Sequence, residues 1–293
     1  MSNLLLADPS TRGHRSQLCQ ALMVSRATVY RHRQQENSAA QRDLCMRAHI
    51  KRIASDYKDY GYRRITAQLQ REGILVNHKK VLFWMRKDKL LCLPKKRFIA
   101  TTDSAHGRPV YPNLRPHICL CRLNQLWVAD ITYIRLARGF IYLAVVLDAF
   151  SRRCIGWALA THLHASLAVE ALDMALSYRP APEYHHSDQG VQYASQEYVS
   201  RLVAQRVQIS MSRKGNPYDN AYAESFMKTL KYEEVHSADY ETIADVRESL
   251  PYFIEQVYNQ KRLHSALGYM PPVEFEQKIN NQYQKSPYLT VSL

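Results

Sequence analysis

The sequence predicts an α/β domain with a mixed sheet, preceded by small all-α units of the helix-turn-helix type. Two observations support this fold class. Apolar residues recur at helical spacing in short segments up to residue 97, whereas apolar runs typical of strands alternate with helical segments from residue 124. The length of 293 residues and the net charge of +14 agree with several units, of which at least one binds an acidic polymer such as nucleic acid.

The charge is divided unevenly along the chain. Residues 1–124 carry 24 basic and eight acidic side chains, a net of +16, whereas residues 125–293 carry 16 basic and 18 acidic ones, a net of −2. The first part therefore suits the binding of polyanions, and the second is free to hold a metal or to carry out chemistry.

Several classes of protein are excluded by the sequence. Residues 1–10 lack the basic start and the long apolar core of a signal peptide, and the longest apolar run, 140–147, is far shorter than the ~20 residues of a membrane-spanning helix. We therefore expect a cytoplasmic protein with reduced cysteines and no membrane contact. His117, Cys119 and Cys121 lack the second ligand pair of a structural zinc site, so zinc is not predicted.

Residues 1–45 are predicted to form a first helix-turn-helix unit. The segment from Arg15 to Met23 carries apolar residues on one helical face, and Ser25 can cap a second short helix. This second helix presents side chains of the kind that meet phosphates and base edges in a major groove: Arg26, Tyr30 and Arg31. The alternative is a basic helical hairpin that contacts no groove.

Residues 46–97 are predicted to form a second unit of the same kind. A helix from Tyr62 to Arg71 ends before Gly73, and Asn77 can cap a helix that runs to about Lys87. The candidate DNA contacts on these two helices are Arg63, Arg64, Lys79 and Lys80. Residues 98–123 contain three prolines and little periodic pattern, which predicts an extended linker.

Residues 124–293 are predicted to form the α/β domain with a C-terminal helical extension. Strands are expected at 127–134, 140–147 and 154–160, with shorter ones near 184 and at 207–211. Helices are expected around 167–176, at 195–206 and from 220 to about 235. Three strands followed by alternating helices and strands indicate a mixed sheet.

An acidic residue inside an apolar strand requires a physical reason, and Asp130 is such a residue. A buried carboxylate without a partner costs several kcal/mol, so a cation is expected nearby. Asp188 stands where a strand should end, and Glu224 lies on a predicted helix. If the three acids gather at the sheet, they raise one another's pKa, and a pair of Mg²⁺ ions would remove that penalty.

The acids of this region also have possible structural roles. Asp130 could form an ion pair with Arg152. Asp148 could pair with the same arginine or cap a turn, and Asp219 could be the N-cap of the helix that starts at Asn220. The pattern of residues alone leaves these alternatives open beside the metal site.

The order and spacing of the acids resemble a known family. In this sequence 35 residues lie between Asp188 and Glu224, within the segments His-Ser-Asp-Gln-Gly-Val-Gln-Tyr (186–193) and Asp-Asn-Ala-Tyr-Ala-Glu-Ser-Phe (219–226). This pattern resembles the DDE transposases and integrases of the retroviral-integrase superfamily. The segments Tyr-Gly-Tyr-Arg-Arg-Ile (60–65) and 258–269, which starts Tyr-Asn-Gln-Lys-Arg-Leu-His-Ser, look like the OrfB proteins of the IS-three family of bacterial insertion sequences.

The resemblance implies an RNase H-like integrase core in which Asp130, Asp188 and Glu224 are catalytic and ligate two Mg²⁺ ions, with Mn²⁺ as an alternative. It implies that Arg213, Lys214, Asn216 and Lys231 hold the element's end. In the family, water cleaves the phosphodiester at the 3′ end of the element, and the freed 3′-hydroxyl then attacks acceptor DNA.

The implied partners are the element's terminal inverted repeats and target DNA, bound by at least a homodimer in a bacterial, nucleoid-associated setting. An upstream OrfA product, fused or separate, is a further expected partner. Two other function classes remain open: a DNA-binding regulator with a degenerate core, and a nuclease of the same fold that cuts without joining.

Overall fold

The computed structural model describes residues 15–21, 23–92, 109–213, 217–238 and 240–285. The chain divides into two compact units, Met1–Cys92 and Leu93–Leu293, which we call the helical unit and the sheet unit. The predicted α/β fold class with a preceding helical region is confirmed.

The helical unit contains four helices within its described residues: α1 (Arg15–Ala21), α2 (Arg26–Asp56), α3 (Tyr62–Arg71) and α4 (His78–Lys87). The predicted caps form, because the Ser25 hydroxyl accepts a hydrogen bond from the backbone N–H of Thr28 and the Asn77 side chain accepts one from Lys79. The predicted limits of α3 and α4 are confirmed. The core of the helical unit consists of buried apolar residues from α2, α3 and α4: Ile50, Ile53, Ile65, Leu69, Val81, Trp84 and Met85.

The predicted short second helix is wrong, because α2 is 31 residues long. It contains no glycine or proline to interrupt it, and it runs through residue 45, where the boundary between two units is predicted. Residues 30–42 of α2 are all exposed, whereas Ile50 and Ile53 near its end are buried. The two predicted helix-turn-helix units therefore share one helix, and only its second half packs into a core.

The sheet unit is built on a five-stranded sheet with the order β3-β2-β1-β4-β5. Its strands are β1 (Leu126–Arg135), β2 (Phe140–Asp148), β3 (Cys154–Ala160), β4 (Tyr184–Ser187) and β5 (Gln208–Met211). The first three strands pair antiparallel, and β4 and β5 are added in parallel to β1, so the predicted mixed sheet is confirmed.

Helices cover both faces of this sheet. One face packs against α5 (Ala165–Tyr178) and α6 (Gln196–Ala204), and the other packs against α7 (Ala221–Leu230) and the C-terminal helices. Gly156 on β3 permits a close approach of α5, because a Cβ atom there would lie 2.1 Å from the backbone oxygen of Ala171.

The chain after α7 continues in helical segments that close over the sheet. They are a π-helix Lys231–Val235, a short helix His236–Ala238, α8 (Ile243–Tyr252), a second π-helix Phe253–Lys261 and α9 (Pro272–Lys285). Asn259 pairs with the backbone of the edge strand β3, since its side chain accepts from the N–H of Cys154 (3.0 Å) and donates to the oxygen of the same residue (2.9 Å). Arg262 forms two hydrogen bonds with Glu233. The motif at 258–269 therefore fastens the C-terminal helices to the core.

The predicted linker 98–123 differs from the structure in its described part. The backbone N–H of Leu114 donates to the Ser210 hydroxyl (2.9 Å), and the N–H of Met211 donates to the oxygen of Pro112. The stretch around Pro112 and Leu114 therefore packs against the edge strand β5, and residues 109–123 belong to the sheet unit.

All six cysteines have free thiols. Among the described residues, no helix combines the length and the apolar character required to cross a bilayer.

Candidate active site

Asp130 and Asp188 lie on neighbouring parallel strands. Val128 of β1 pairs with His186 of β4, so the same register continued by two residues brings Asp188 level with Asp130. Asp188 directly follows the last residue of β4, as the sequence predicts for an acid at a strand end. The topology thus places two acids, 58 positions apart in sequence, side by side.

Glu224 reaches the same region from α7. The side-chain amide of Asn220, the residue before α7, donates to the backbone oxygen of Ala129 (3.1 Å) and so fixes the start of the helix beside Asp130. Glu224 is one turn further along and exposed. Asn220 was not predicted as a positioning residue, because its partner is 91 positions away.

The electrostatics show that the three acids are neighbours. Burial first, and then the charges of Asp188 and Glu224, raise the pKa of Asp130 to about 7 against the opposing effects of the Ile131 N–H and Lys231. Burial also raises the pKa of Glu224 from its ordinary value. The site therefore holds more negative charge than its surroundings compensate.

The carboxylates of the three acids are not oriented toward a common point. Asp130 accepts a hydrogen bond from the N–H of Ile131, and Asp188 accepts one from the N–H of Gly190, both at 2.9 Å. In the described part of the chain, no group of three or more His, Cys, Asp or Glu side chains is arranged to hold a metal ion. The oxygen donors and the excess negative charge suit a hard divalent cation, and the side chains would have to turn to share one.

Two further side chains border the acids. Tyr193 is buried, and burial together with the charges of Asp130 and Asp188 raises its pKa well above the ordinary value. Lys231 follows α7 directly, with its ammonium nitrogen 5.0 Å from the centre of the Tyr133 ring. The charge of Asp130 opposes the lowering of the Lys231 pKa by burial. Lys231 thus lies near Asp130, and its contact with the element's end stays a prediction, whereas Tyr193 received no role from the sequence.

The two histidines before Asp188 support the strand that carries it. His186 is buried between two hydroxyls, at 2.8 Å from Ser210 and 2.9 Å from Ser212, and burial lowers its pKa to about 4. His185 bonds to the Tyr198 hydroxyl, and burial lowers its pKa to about 3. Both rings are therefore neutral structural links from β4 to its neighbours.

Asp219 has a different role from the predicted one, while the contact of Arg213 with DNA stays a prediction. Asp219 was a candidate N-cap, but its carboxylate accepts hydrogen bonds from the backbone N–H of Arg213 (3.0 Å) and from the guanidinium of the same residue. The N-cap residue of α7 is Asn220. Lys214 and Asn216, two of the predicted contacts with DNA, lie outside the described residues.

The suggested ion pairs of Arg152 are wrong. Asp148 is fully buried and accepts hydrogen bonds from the N–H groups of Asn124, Phe150 and Ser151, which confirms its role in capping a turn. The guanidinium of Arg152 instead lies 3.9 Å from the centre of the Tyr222 ring.

The predicted DNA contacts of the helical unit are on its surface. Arg26, Tyr30 and Arg31 are exposed on α2. Lys80 lies 2.7 Å from Asp43, and its neighbour Lys79 is exposed. The guanidinium groups of Arg63 and Arg64 lie 5.7 Å and 5.6 Å from the rings of Tyr62 and Tyr60, respectively. Contact of these side chains with DNA remains a prediction.

Comparison with known proteins places both units in described families. Models of the integrase core domain match residues 122–217 and 205–272, and a model of an HTH-like domain matches residues 38–98. The chain is 37% identical over 270 residues to an uncharacterized 31 kDa protein of insertion element IS600 from Shigella sonnei, covering 89% of this chain and 98% of that protein.

Two further relatives carry the name of transposase. The chain is 35% identical to the transposase InsF for IS3A of Escherichia coli, covering 89% of this chain and 93% of the relative. It is 37% identical to the transposase of element IS904 of Lactococcus lactis, covering 84% of this chain and 98% of the relative. With an integrase core, an HTH-like domain and this degree of identity over most of its length, the chain belongs to the IS3 family of transposases, which are polynucleotidyl transferases.

Proposed function

We propose that the protein cleaves DNA at the 3′ ends of its insertion sequence and joins the freed 3′-hydroxyl to acceptor DNA, using Asp130, Asp188 and Glu224. The observation that supports this most is the electrostatic convergence of the three acids at the centre of the sheet. Asp188 and Glu224 both raise the pKa of Asp130, although the three residues come from β1, the end of β4 and α7.

The three acids would hold divalent cations, two Mg²⁺ ions or Mn²⁺ in their place. Such ions activate a water or hydroxyl and stabilise the leaving oxygen of a phosphodiester. The carboxylate oxygens suit Mg²⁺ chemically, and the raised pKa of Asp130 is a penalty that a bound cation would relieve.

The surrounding residues would position the acids and the DNA. The N–H of Gly190 orients the Asp188 carboxylate, and Asn220 fixes the helix that carries Glu224. Tyr193 is buried near Asp130 and Asp188 and would limit the access of water from its side. Lys231 and Arg213, together with Lys214 and Asn216, would bind phosphates of the element's end, because cationic side chains neutralise phosphates and amide side chains donate hydrogen bonds to them.

The helical unit would recognise the terminal inverted repeats. Its exposed basic residues on α2, α3 and α4 suit the phosphate backbone, and the HTH-like match supports a groove-binding role. Because two ends must be brought together, at least a dimer is expected on DNA, with an OrfA product as a further partner.

The substitution Asp188→Asn tests the catalytic assignment. It keeps the size of the side chain and removes its charge, so we expect neither cleaved nor joined product, while binding to the element's end is retained. The measurement follows a labelled duplex of the element's end with Mg²⁺. The matched control is Asp173→Asn, which changes an exposed acid of α5 that pairs with Arg201 of α6, on the face of the sheet opposite α7, and should leave activity unchanged.

The same assay separates the alternative functions. Free 3′ ends without joined product from the unaltered protein would indicate a nuclease, and no metal-dependent product at all would indicate a regulator. Near-normal activity of Asp188→Asn would overturn the assignment of the triad.

A further inference from the structure

A cavity of about 400 Å³ lies in the sheet unit where the segment before β1 meets the start of α7. Its walls are formed by Arg115, Pro116, Arg152, Asp219, Ala221 and Tyr222. None of these residues belongs to the acidic triad or to the set of DNA contacts that the sequence predicts. Its charged lining residues are two arginines and one aspartate, and the contacts of the two arginines show that their positive charge is not neutralised within the cavity.

Both arginines lie against the same aromatic ring. The guanidinium carbon of Arg152 is 3.9 Å from the centre of the Tyr222 ring, and that of Arg115 is 4.9 Å from it. Arg115 also donates to the Tyr222 hydroxyl (2.7 Å) and to the backbone oxygen of Ile118 (3.3 Å). The guanidinium of Arg152 forms no ion pair or hydrogen bond with any described residue. It is half-buried, and a half-buried guanidinium without an anion is costly.

The one acid in the wall is already engaged. Asp219 accepts three hydrogen bonds from Arg213, one from its backbone and two from its guanidinium. Arg213 holds the pKa of Asp219 below its ordinary value, so this carboxylate stays ionised and paired with that residue. Arg115 and Arg152 therefore share no carboxylate of their own within the cavity.

The backbone at Arg152 is unfavourable for an arginine. Its φ of +63° lies in the left-handed region, which glycine and asparagine adopt much more readily. An arginine there accepts backbone strain and places its charge beside a second arginine, whose charge acts with burial to lower the Arg152 pKa.

From these contacts we propose that Arg115 and Arg152 form a binding site for a phosphodiester group of DNA. Guanidinium groups match the geometry of phosphate oxygens, and both arginines retain unused N–H donors. Ala221, the first residue of α7, also lines the cavity, so the helix N-terminus adds favourable potential for an anion. Glu224 lies one turn further along this helix, so the site would set the position of the DNA backbone relative to the acids. The inference rests on the proposed action on DNA.

The substitution Arg152→Gln tests the site, because it keeps a long polar side chain in the same backbone conformation and removes the charge. Binding of the full-length chain is measured with two probes at several salt concentrations in EDTA: a duplex of the element's end and an unrelated duplex of equal length. Log affinity falls linearly with log salt, and we expect the magnitude of this negative slope to be smaller by about 0.9, the value for one neutralised phosphate. Arg152→Lys should keep the slope of the unaltered chain.

The control Arg201→Gln removes the same charge from an exposed ion pair with Asp173 and should not change the slope. Arg115→Gln is the second variant, used if Arg152→Gln does not fold, and we expect it to reduce the magnitude of the slope in the same way. If the slope is reduced in magnitude only with the element's end, the site binds that DNA. If it is reduced only with the unrelated duplex, the site binds acceptor DNA. A reduction with both probes assigns the site to the backbone of duplex DNA in general.

An unchanged slope with both probes, or a change equal to that of Arg201→Gln, would overturn the proposal. Because the measurement involves no cleavage, it does not depend on whether the triad is catalytic. A failure of the proposed chemistry would therefore be seen in the cleavage assay and not in this one.

Discussion

Two acidic residues of the sheet unit, the half-buried Asp130 and the buried Glu276, have opposite electrostatic surroundings. At Asp130, one backbone N–H donates to the carboxylate, and two further acids lie nearby. At Glu276 on α9, the carboxylate accepts hydrogen bonds from Ser151 (2.7 Å), Arg153 (2.8 Å) and Arg179 (2.7 Å). The pKa of Asp130 is raised to about 7, whereas that of Glu276 is lowered, because hydrogen bonds and charge from Arg179 outweigh the cost of burial.

The difference separates acids that hold the fold together from acids that serve a site. Glu276 joins α9 to the turn before β3 and to the end of α5, so its charge is satisfied within the chain. The charge of Asp130 is compensated so poorly that folding alone would not favour an acid there. An acid that the protein leaves short of partners is therefore the better indicator of function.

The largest expected effect is that of Asp130→Asn. We expect the rate of cleavage and joining to fall on the order of 10³-fold or more, since the charge that would bind the cations is lost. The thermal midpoint of the metal-free variant at pH 8 should nevertheless rise, because a repelling charge is removed. Product formation and thermal unfolding are measured on the same preparation. A lower midpoint would show that Asp130 stabilises the fold, which would remove the contrast with Glu276.

Glu276→Gln should have the opposite effect on stability. The variant leaves Arg179, whose side chain is only 10% exposed, without its carboxylate, and breaking a buried pair of this kind costs about 3–5 kcal/mol. Denaturant unfolding measures this loss. The control Glu197→Gln removes an exposed acid that lies 3.5 Å from Arg201, and it should change the stability by less than about 1 kcal/mol. Equal effects of the two substitutions would contradict the structural role of Glu276.

The two centres also differ in how much of them the sequence could predict. Asp130 was identified because a single acid interrupts an apolar strand, a pattern visible within ten residues. Glu276 was missed, because its partners lie 97 to 125 positions away and α9 has the composition of an ordinary surface helix. Patterns of local burial are readable from sequence, whereas ion pairs between distant elements depend on the assembled fold.

The same distinction explains the other corrections. The caps at Ser25 and Asn77 and the limits of most elements follow from neighbouring residues and were predicted. The length of α2 was underestimated, because its polar first half lacks the apolar periodicity by which helices are recognised. The contact of Arg152 with Tyr222 was missed, because only the fold brings these two distant groups together. The contact of Asp219 with Arg213 was missed although the two residues are only six positions apart.

The smallest expected effect is a difference in pH dependence between the two centres. Asp130 has a folded pKa of about 7 and an unfolded value near 4, so its penalty is absent below about pH 4 and complete above about pH 7. The advantage of Asp130→Asn in thermal midpoint should therefore grow as the pH rises from 4 to 8. Glu276 has a lowered folded pKa, so its contribution is present above its unfolded pKa and is lost as the pH falls through the folded value.

The thermal midpoint of each variant is compared with that of the unaltered chain at each pH, without metal. This difference isolates the effects of Asp130 and Glu276, because His185 and His186, which also titrate on unfolding, are present in every chain. Each kcal/mol should correspond to about 2–4 °C for a chain of this size. Mg²⁺ at pH 8 should raise the midpoint of the unaltered chain and not that of Asp130→Asn, because the cation would offset the repulsion that the variant lacks. A metal effect of equal size in both chains would show that Mg²⁺ binds elsewhere, and Asp130 would then be no ligand.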